Sequence, residues 1–399
     1  MARAVVAWVA IGLAAFAAVP IGAENLRELA WLKAHAVAWP VDESAPLPAL
    51  PAPIRNARVV LLGEVHGIAH GQILDFAFLR ALHRDAGVRL YLGEFDAAQA
   101  DAFNEYLSGG GDAAVDAVFE RWRSRGAQWA STDFRRKLSL MARWNQALPQ
   151  RERIRFVGAD EIQDLERFCL WLAARLDRVG NAALVRDAIA ALRDPARCAS
   201  AGAAEGTVLA ASKGLDPVTR DGLAAWAVNA EHADRDSRIE ANVRRHLATH
   251  RGAFYGLWGL YHVVQAEVNG AAPLALRLAR VGVRVRSAVV LNLAGEMMIP
   301  TAGPEDGIVF SAVPYTVDSA EAALVYRIEP FVAAATGPLT LFDLSPRGSP
   351  YRGSDALSRV GGRFGDMQPF VIDPATAPRG FWTDAVVISR GSPATQPVR

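Results

Sequence analysis

Cysteine is nearly absent from this sequence, with two residues in 399, Cys169 and Cys198. Two thiols cannot build a metal centre without histidines or carboxylates, and they exclude the disulfide-dense frameworks of small secreted domains. They leave two readings open, one bridge within a helical stretch or a pair of buried thiols. An excess of one charge is also missing. Forty-three Lys and Arg face forty-two Asp and Glu, so no net field draws nucleic acid or an anionic membrane. The basic run Arg135-Arg136-Lys137 reads as the solvated face of a helix. The sequence carries no Gly-x-Ser-x-Gly elbow, Walker loop, dinucleotide fingerprint or Cys-x-x-Cys pair. Serine hydrolases of the usual kind, nucleotide hydrolases and dithiol redox proteins are set aside on that ground. Past the N-terminus, no apolar run is long enough to span a bilayer.

What is present starts with Arg3, an apolar run from Ala4 to Val19, and Pro20-Ile21-Gly22-Ala23 before Glu24. This is the order of a secretory signal peptide, so residues 1–23 are expected to be removed and the product to be periplasmic or secreted. Residues 24–399 then read as a single domain. Asn25 to Ala36 has helical character, and a Pro-rich connector follows. Short apolar runs ending in Gly come next, at Ala57–Gly63, Val88–Gly93 and Ile154–Gly158, with Phe254–Trp258 and Val285–Leu293 further on. Such runs are the mark of strands buried on both faces. Helical patterns cover roughly 96–107, 113–124 and 131–148, and a long helical region of about 162–249 breaks near Pro195 and Gly214. Beyond 305 the chain turns irregular, with short strands expected near 308–313, 339–343 and 384–389. The alternation predicts an α/β fold, a mainly parallel sheet flanked by helices, with a helical insertion and an irregular C-terminal segment.

In open parallel sheets, ligands bind beyond the carboxyl ends of the strands. The residues found there are Gly63-Glu64-Val65-His66, Gly93-Glu94, Gly158-Ala159-Asp160-Glu161, Gly259-Leu260-Tyr261-His262 and Gly295-Glu296. A Gly followed by ionisable side chains recurs at each end, and these charges are expected to converge on one rim. Glu64 and His66, two apart, point to one side of an extended chain. A carboxylate beside an imidazole orients it and raises its basicity, which gives a general base for neutral pH. Glu94 follows an apolar strand, so partial burial raises its carboxyl pKa; the other reading is a cap for the helix that follows. His262 is a second imidazole candidate, Arg235 a cation that could reach the rim or pair on a helix surface, and His70 a helix-surface or supporting residue.

In sequence order, several short motifs resemble the erythromycin esterase-like proteins. They are Trp31-Leu-Lys-Ala-His-Ala36, Ala57-Arg-Val-Val-Leu-Leu-Gly-Glu-Val-His-Gly67, Asn104-Glu-Tyr-Leu-Ser-Gly-Gly110 and Trp144-Asn145. Phe156-Val-Gly-Ala-Asp160, Arg235-Asp-Ser-Arg-Ile-Glu-Ala-Asn-Val243 and Thr383-Asp-Ala-Val-Val-Ile-Ser389 complete the set. Together they span most of residues 28–390. The same superfamily holds the haem-uptake (ChaN-like) lipoproteins and the Tiki-type metalloproteases. The resemblance implies a deep cleft at the strand ends and a histidine that activates water against a lactone. His66, Glu94 and His262 match its motif positions. One residue rather than two separates Glu64 from His66, a spacing closer to the haem-uptake branch, and Gly259 stands where the esterases carry a second histidine. The resemblance therefore implies a hydrolase of ester, lactone or amide bonds in a small-molecule substrate, with Glu64, His66, Glu94, Arg235 and His262 as catalytic candidates. A metal-dependent variant would use His66, Glu94 and His262 as ligands to a divalent metal. A haem-binding alternative would use Tyr261 or His262 as axial ligand.

Overall fold

The computed structural model describes residues 23–178, 182–200, 214–303, 307–318, 327–357, 359–360 and 370–398. The leader read over residues 1–23 lies, except for Ala23, outside the described residues. Thirteen strands follow in chain order among the described residues. They are β1 (Ala36–Trp39), β2 (Val59–Glu64), β3 (Leu90–Gly93), β4 (Arg155–Gly158), β5 (Phe254–Gly259), β6 (Glu267–Val268), β7 (Val285–Leu293), β8 (Gly295–Ala302), β9 (Ile308–Tyr315), β10 (Leu339–Asp343), β11 (Arg359–Val360), β12 (Phe370–Asp373) and β13 (Ala385–Arg390).

Eight strands form the main sheet, in the order β1-β10-β13-β7-β2-β5-β3-β4. The run from β13 to β4 is parallel throughout, and β10 joins both β13 and β1 antiparallel. Alternate residues of β2 show why its sequence is apolar without a break. Val59 and Leu61 enter one core layer, and Val60 and Leu62 enter the other. A strand with helices on both faces has no solvent side to mark with polar residues. The C-terminal region supplies two strands to this sheet, β10 and β13, while β8 and β9 form a separate antiparallel hairpin.

Helices Ala97–Leu107, Ala113–Ser124 and Thr132–Ala147 lie between β3 and β4, close to their expected spans. The basic run on the last of them divides. Arg136 is exposed, but Lys137 is buried and its ammonium lies 2.6 Å from the carboxylate of buried Asp75. The hydroxyls of Tyr91 and Tyr255 donate to the same carboxylate. A solvated face was expected here; instead, a buried charge is retained because its partner is charged and hydrogen-bonded. Between β4 and β5 run the helices Leu165–Leu176, Ala182–Arg193, Pro195–Ser200, Pro217–Glu231 and Arg235–Thr249. Phe168, Leu172, Leu176, Leu223 and Trp226 give this region a small core of its own. Within it Cys169 and Cys198 are joined in a disulfide.

Candidate active site

The strands β2, β5, β3 and β4 are consecutive neighbours in the sheet, so the ionisable residues after them arrive side by side. Register between β3 and β5 stops at Tyr91 opposite Tyr255. One residue on, the Leu92 carbonyl accepts from the indole of Trp258 instead of from backbone. Beyond that point a side chain, Glu94, and not backbone bridges the two strands at the Gly259 amide, and these strand ends bound the crevice. Glu296, the fifth strand-end carboxylate, does not take part. The chain turns at Ala294, with φ of 48°, into the β8–β9 hairpin, and Glu296 faces solvent.

Glu64 ends β2 almost fully buried, and its Oε1 lies 3.2 Å from His66 Nδ1. A carboxylate only accepts, so Nδ1 carries the proton and Nε2 keeps its lone pair. Burial pushes the Glu64 carboxyl up, against the pull of the His66 hydrogen bond. Burial also works against charge on His66, but the Glu64 hydrogen bond and the carboxylates of Glu94 and Glu64 outweigh it, and the imidazole ends above its ordinary 6.5. Trp129 meets the His66 ring edge-on, with centroids 4.8 Å apart. Nε2 lies over the Gly259 backbone. A Cβ added at Gly259 would sit 3.1 Å from His66 Nε2 and 3.7 Å from Glu94 Oε1. Nε2 and Glu94 Oε1 therefore lie on the same side of this glycine.

Glu94 is not the cap of the following helix. Asp96 fills that place with a reciprocal capping box to Gln99, and burial lifts the Asp96 carboxyl to about 6. Glu94 is left to the rim. Its Oε2 accepts from the Gly259 amide at 2.7 Å and its Oε1 from Arg235 Nη2 at 2.9 Å. Burial favours the neutral acid, but His262, His66 and Arg235 together hold it below 4.5, opposite in sense to the sequence expectation. Arg235 also grips Asp160 with two bonds, Nε to Oδ1 at 2.9 Å and Nη2 to Oδ2 at 2.8 Å. Its Nη1 lies 3.3 Å from His262 Nε2. A guanidinium cannot accept, so this imidazole nitrogen does. Burial depresses the His262 pKa, opposed by Glu94 and assisted by Arg235. Its Nδ1 is 3.7 Å from Asp236, too far for a hydrogen bond, and the Asp236 carboxylate accepts from the Tyr261 hydroxyl instead. Arg235 is thus a rim residue, while Tyr261 leans on Asp236. Among the described residues, no three His, Cys, Asp or Glu side chains are grouped to hold a metal ion.

No family model matches the chain. No curated protein matches it in sequence. Solved structures do. A Bacillus cereus protein superposes with a TM-score of 0.70 at 14% identity, covering 94% of this chain and 99% of that one. A succinoglycan biosynthesis protein gives the same figures. A mutant of the erythromycin esterase EreC, in its open conformation, gives 0.61 at 15% identity, covering 87% and 94%. The fold is shared with an erythromycin esterase.

The sequence pattern located Glu64, His66, Glu94 and His262, and the structure brings all four to one crevice with Arg235. Asp160 belonged to the same strand-end pattern, and it proves to be the main anchor of Arg235. His70 is not a surface residue. It is buried, with Nδ1 2.9 Å from Ser389 Oγ. Gln72, Gln128 and Trp129 were missed. Gln72 lies in the first turn of the helix Ala69–Ala86 and donates to both Glu64 oxygens, at 3.3 and 3.2 Å. Gln128 donates to the carbonyls of His66 and Met298. Neither has a local sequence signal, because both act on backbone or carboxylate groups from distant elements.

Proposed function

We propose that this protein is a hydrolase in which His66 activates water against an ester, lactone or amide carbonyl of a small molecule. The observation that carries this reading is the paired polarity of His66. Nδ1 is committed to Glu64, while Nε2 lies over the Gly259 backbone on the same side as Glu94 Oε1. A water at Nε2 gives its proton to that nitrogen as its oxygen attacks the carbonyl carbon. The guanidinium of Arg235, fixed by Asp160 and Glu94, faces the charge that develops on the carbonyl oxygen. Collapse of the tetrahedral intermediate expels the alkoxide or amine, and His66 returns the proton to it. Burial and Arg235 keep His262 neutral, and it steadies the guanidinium as an acceptor. The fold shared with an erythromycin esterase supports ester cleavage as the reaction class. The pairing of Cys169 with Cys198 supports an oxidising, exported setting.

The test is a panel of activated esters, lactones and amides offered to the wild-type protein and to His66→Ala. Turnover of at least one class is expected, with a loss of about 10²–10⁴-fold in the variant. Equal turnover by a folded His66→Ala protein would remove His66 from the chemistry.

A further inference from the structure

We propose that Gln72 is a positioning residue that holds Glu64 in the orientation His66 requires; this rests on the reading of His66 as the base. Glu64 Oε1 is shared between two donors, His66 Nδ1 and Gln72 Nε2, and among the described residues Oε2 accepts from Gln72 alone. A carboxylate fixed at one oxygen can still rotate about its last bond. Contact of one amide nitrogen with both oxygens removes that freedom.

The chemistry assigns the amide orientation. A carboxylate only accepts, so the NH₂ end of Gln72 faces it and the carbonyl end points away. That carbonyl oxygen is buried, with no partner among the described residues. Gln72 also lines a cavity of about 10 Å³ with Lys137, Asp133 and Arg136, room for about one water molecule. The helix that carries Gln72 is itself pinned. Ala69 N donates to the Pro393 carbonyl at 3.0 Å and His70 N to Ser392 Oγ at 2.9 Å. At Gly71 there is room only for hydrogen, because a Cβ would collide with Glu64 Oε2. The carboxylate is therefore pressed against the first helical turn, and Gln72 is the side chain that closes on it. The charged groups acting on Glu64 besides His66 are Lys137 and Asp75, and those acting on His66 besides Glu64 are Glu94 and Arg235. None of them does the same work, because none donates a hydrogen bond to the Glu64 carboxylate.

Loss of the donor frees Glu64 to turn from His66 and to take up a proton in its buried place. His66 then loses the charge that raises it. The experiment is a titration of the full-length protein with ¹⁵N-labelled histidine, His66 being assigned by the signal missing from His66→Ala. In Gln72→Met, similar in size but without a donor, the His66 midpoint is expected to fall by roughly half a unit or more. On an ester found in the substrate panel, kcat is expected to fall about tenfold with KM nearly unchanged. If the Met variant does not fold, Gln72→Asn withdraws the amide by one methylene and is expected to shift His66 the same way. A folded Met or Asn variant with an unmoved His66 titration would reduce Gln72 to packing and overturn the proposal. The titration needs no substrate. A protein that hydrolyses nothing, yet shows the shift, would fail the functional reading while keeping the hold of Gln72 on Glu64 and His66.

Discussion

A guanidinium at the first position of a helix meets the positive end of the helix dipole, an arrangement that costs stability unless anions are near. Arg235 stands at that position in Arg235–Thr249, with Asp234 as cap. Asp160 and Glu94 supply the anions, and they hold the Arg235 charge firmly although burial opposes it. Charge placed against the dipole and then compensated from two strand ends serves the crevice rather than the helix. Lysine keeps the charge and loses the two-pronged grip on Asp160. Arg235→Lys is therefore expected to lower kcat by about 10²-fold, in the range for loss of one transition-state donor. Steady-state kinetics on the best ester of the panel measures this. Wild-type kcat in that variant would take Arg235 out of the transition state.

The loop after β2 is held by three elements at once. The Gly67 carbonyl accepts from Met298 N on β8 and from Thr395 N, both at 2.9 Å. Gln128 reaches the carbonyl of His66. The segment that carries Thr395 goes on to pair with the stretch bearing Trp129, through Thr132 N to the Gln396 carbonyl and Val398 N to the Ala130 carbonyl. The residues flanking His66 are thus tied to one C-terminal strap. Gly67 has φ of 85°, and a Cβ there would collide with Met298 O and Gln128 Nε2. Gly87 has φ of 64° with nothing within 4 Å. Both Gly→Ala changes cost roughly 1–2 kcal/mol of backbone strain. Only Gly67→Ala is expected to lower turnover as well, by about tenfold or more, because it displaces the loop that carries His66. Kinetics beside thermal unfolding of the two variants separates these effects, and equal turnover in both would dissociate the strap from catalysis.

The strap also shows what the sequence could not convey. Glu64, Glu94, His262 and Asp160 were legible because each follows an apolar run, and an ionisable group just past a buried strand stands out. Gly391-Ser392-Pro393-Ala394-Thr395 has the composition of a loose tail. Its importance lies in backbone bonds to residues more than 250 positions away, which leave no trace in side-chain pattern. Lys137 was misread for a related reason. Its partner Asp75 lies on another helix, and a basic run on one helix does not show which member turns inward. The edge strand β1 follows a helix without a turn signal between them, so four residues of extended chain went unnoticed.

At the scale of the whole molecule, the parallel strands from β13 to β4 set the crevice, and the chain between β4 and β5 brings Arg235 over it. The last helix of that region packs on the sheet through Ile239 and Val243, while the helices before it keep a small core of their own, and the Cys169–Cys198 bridge closes 29 residues there. Closing a loop of that length contributes about 3–4 kcal/mol by restricting the unfolded chain. Cys198→Ser, or reduction, is expected to lower the urea midpoint accordingly while leaving the wild-type crevice residues in place. Two free thiols titrated in the denatured, unreduced protein would contradict the bridge.

The most direct measurement is the pH dependence of kcat/KM for the wild type and Glu64→Gln. A base must be neutral to work, and His66 is raised above 6.5 with its Glu64 hydrogen bond as the leading cause of the rise. Wild-type kcat/KM is therefore expected to rise with pH through an ionisation above 6.5. In Glu64→Gln that acid limb moves to lower pH, because burial then works with less opposition, and the plateau falls. A limb at the same pH in both proteins, or no ionisation between pH 5 and 9, would contradict a Glu64-held His66 base.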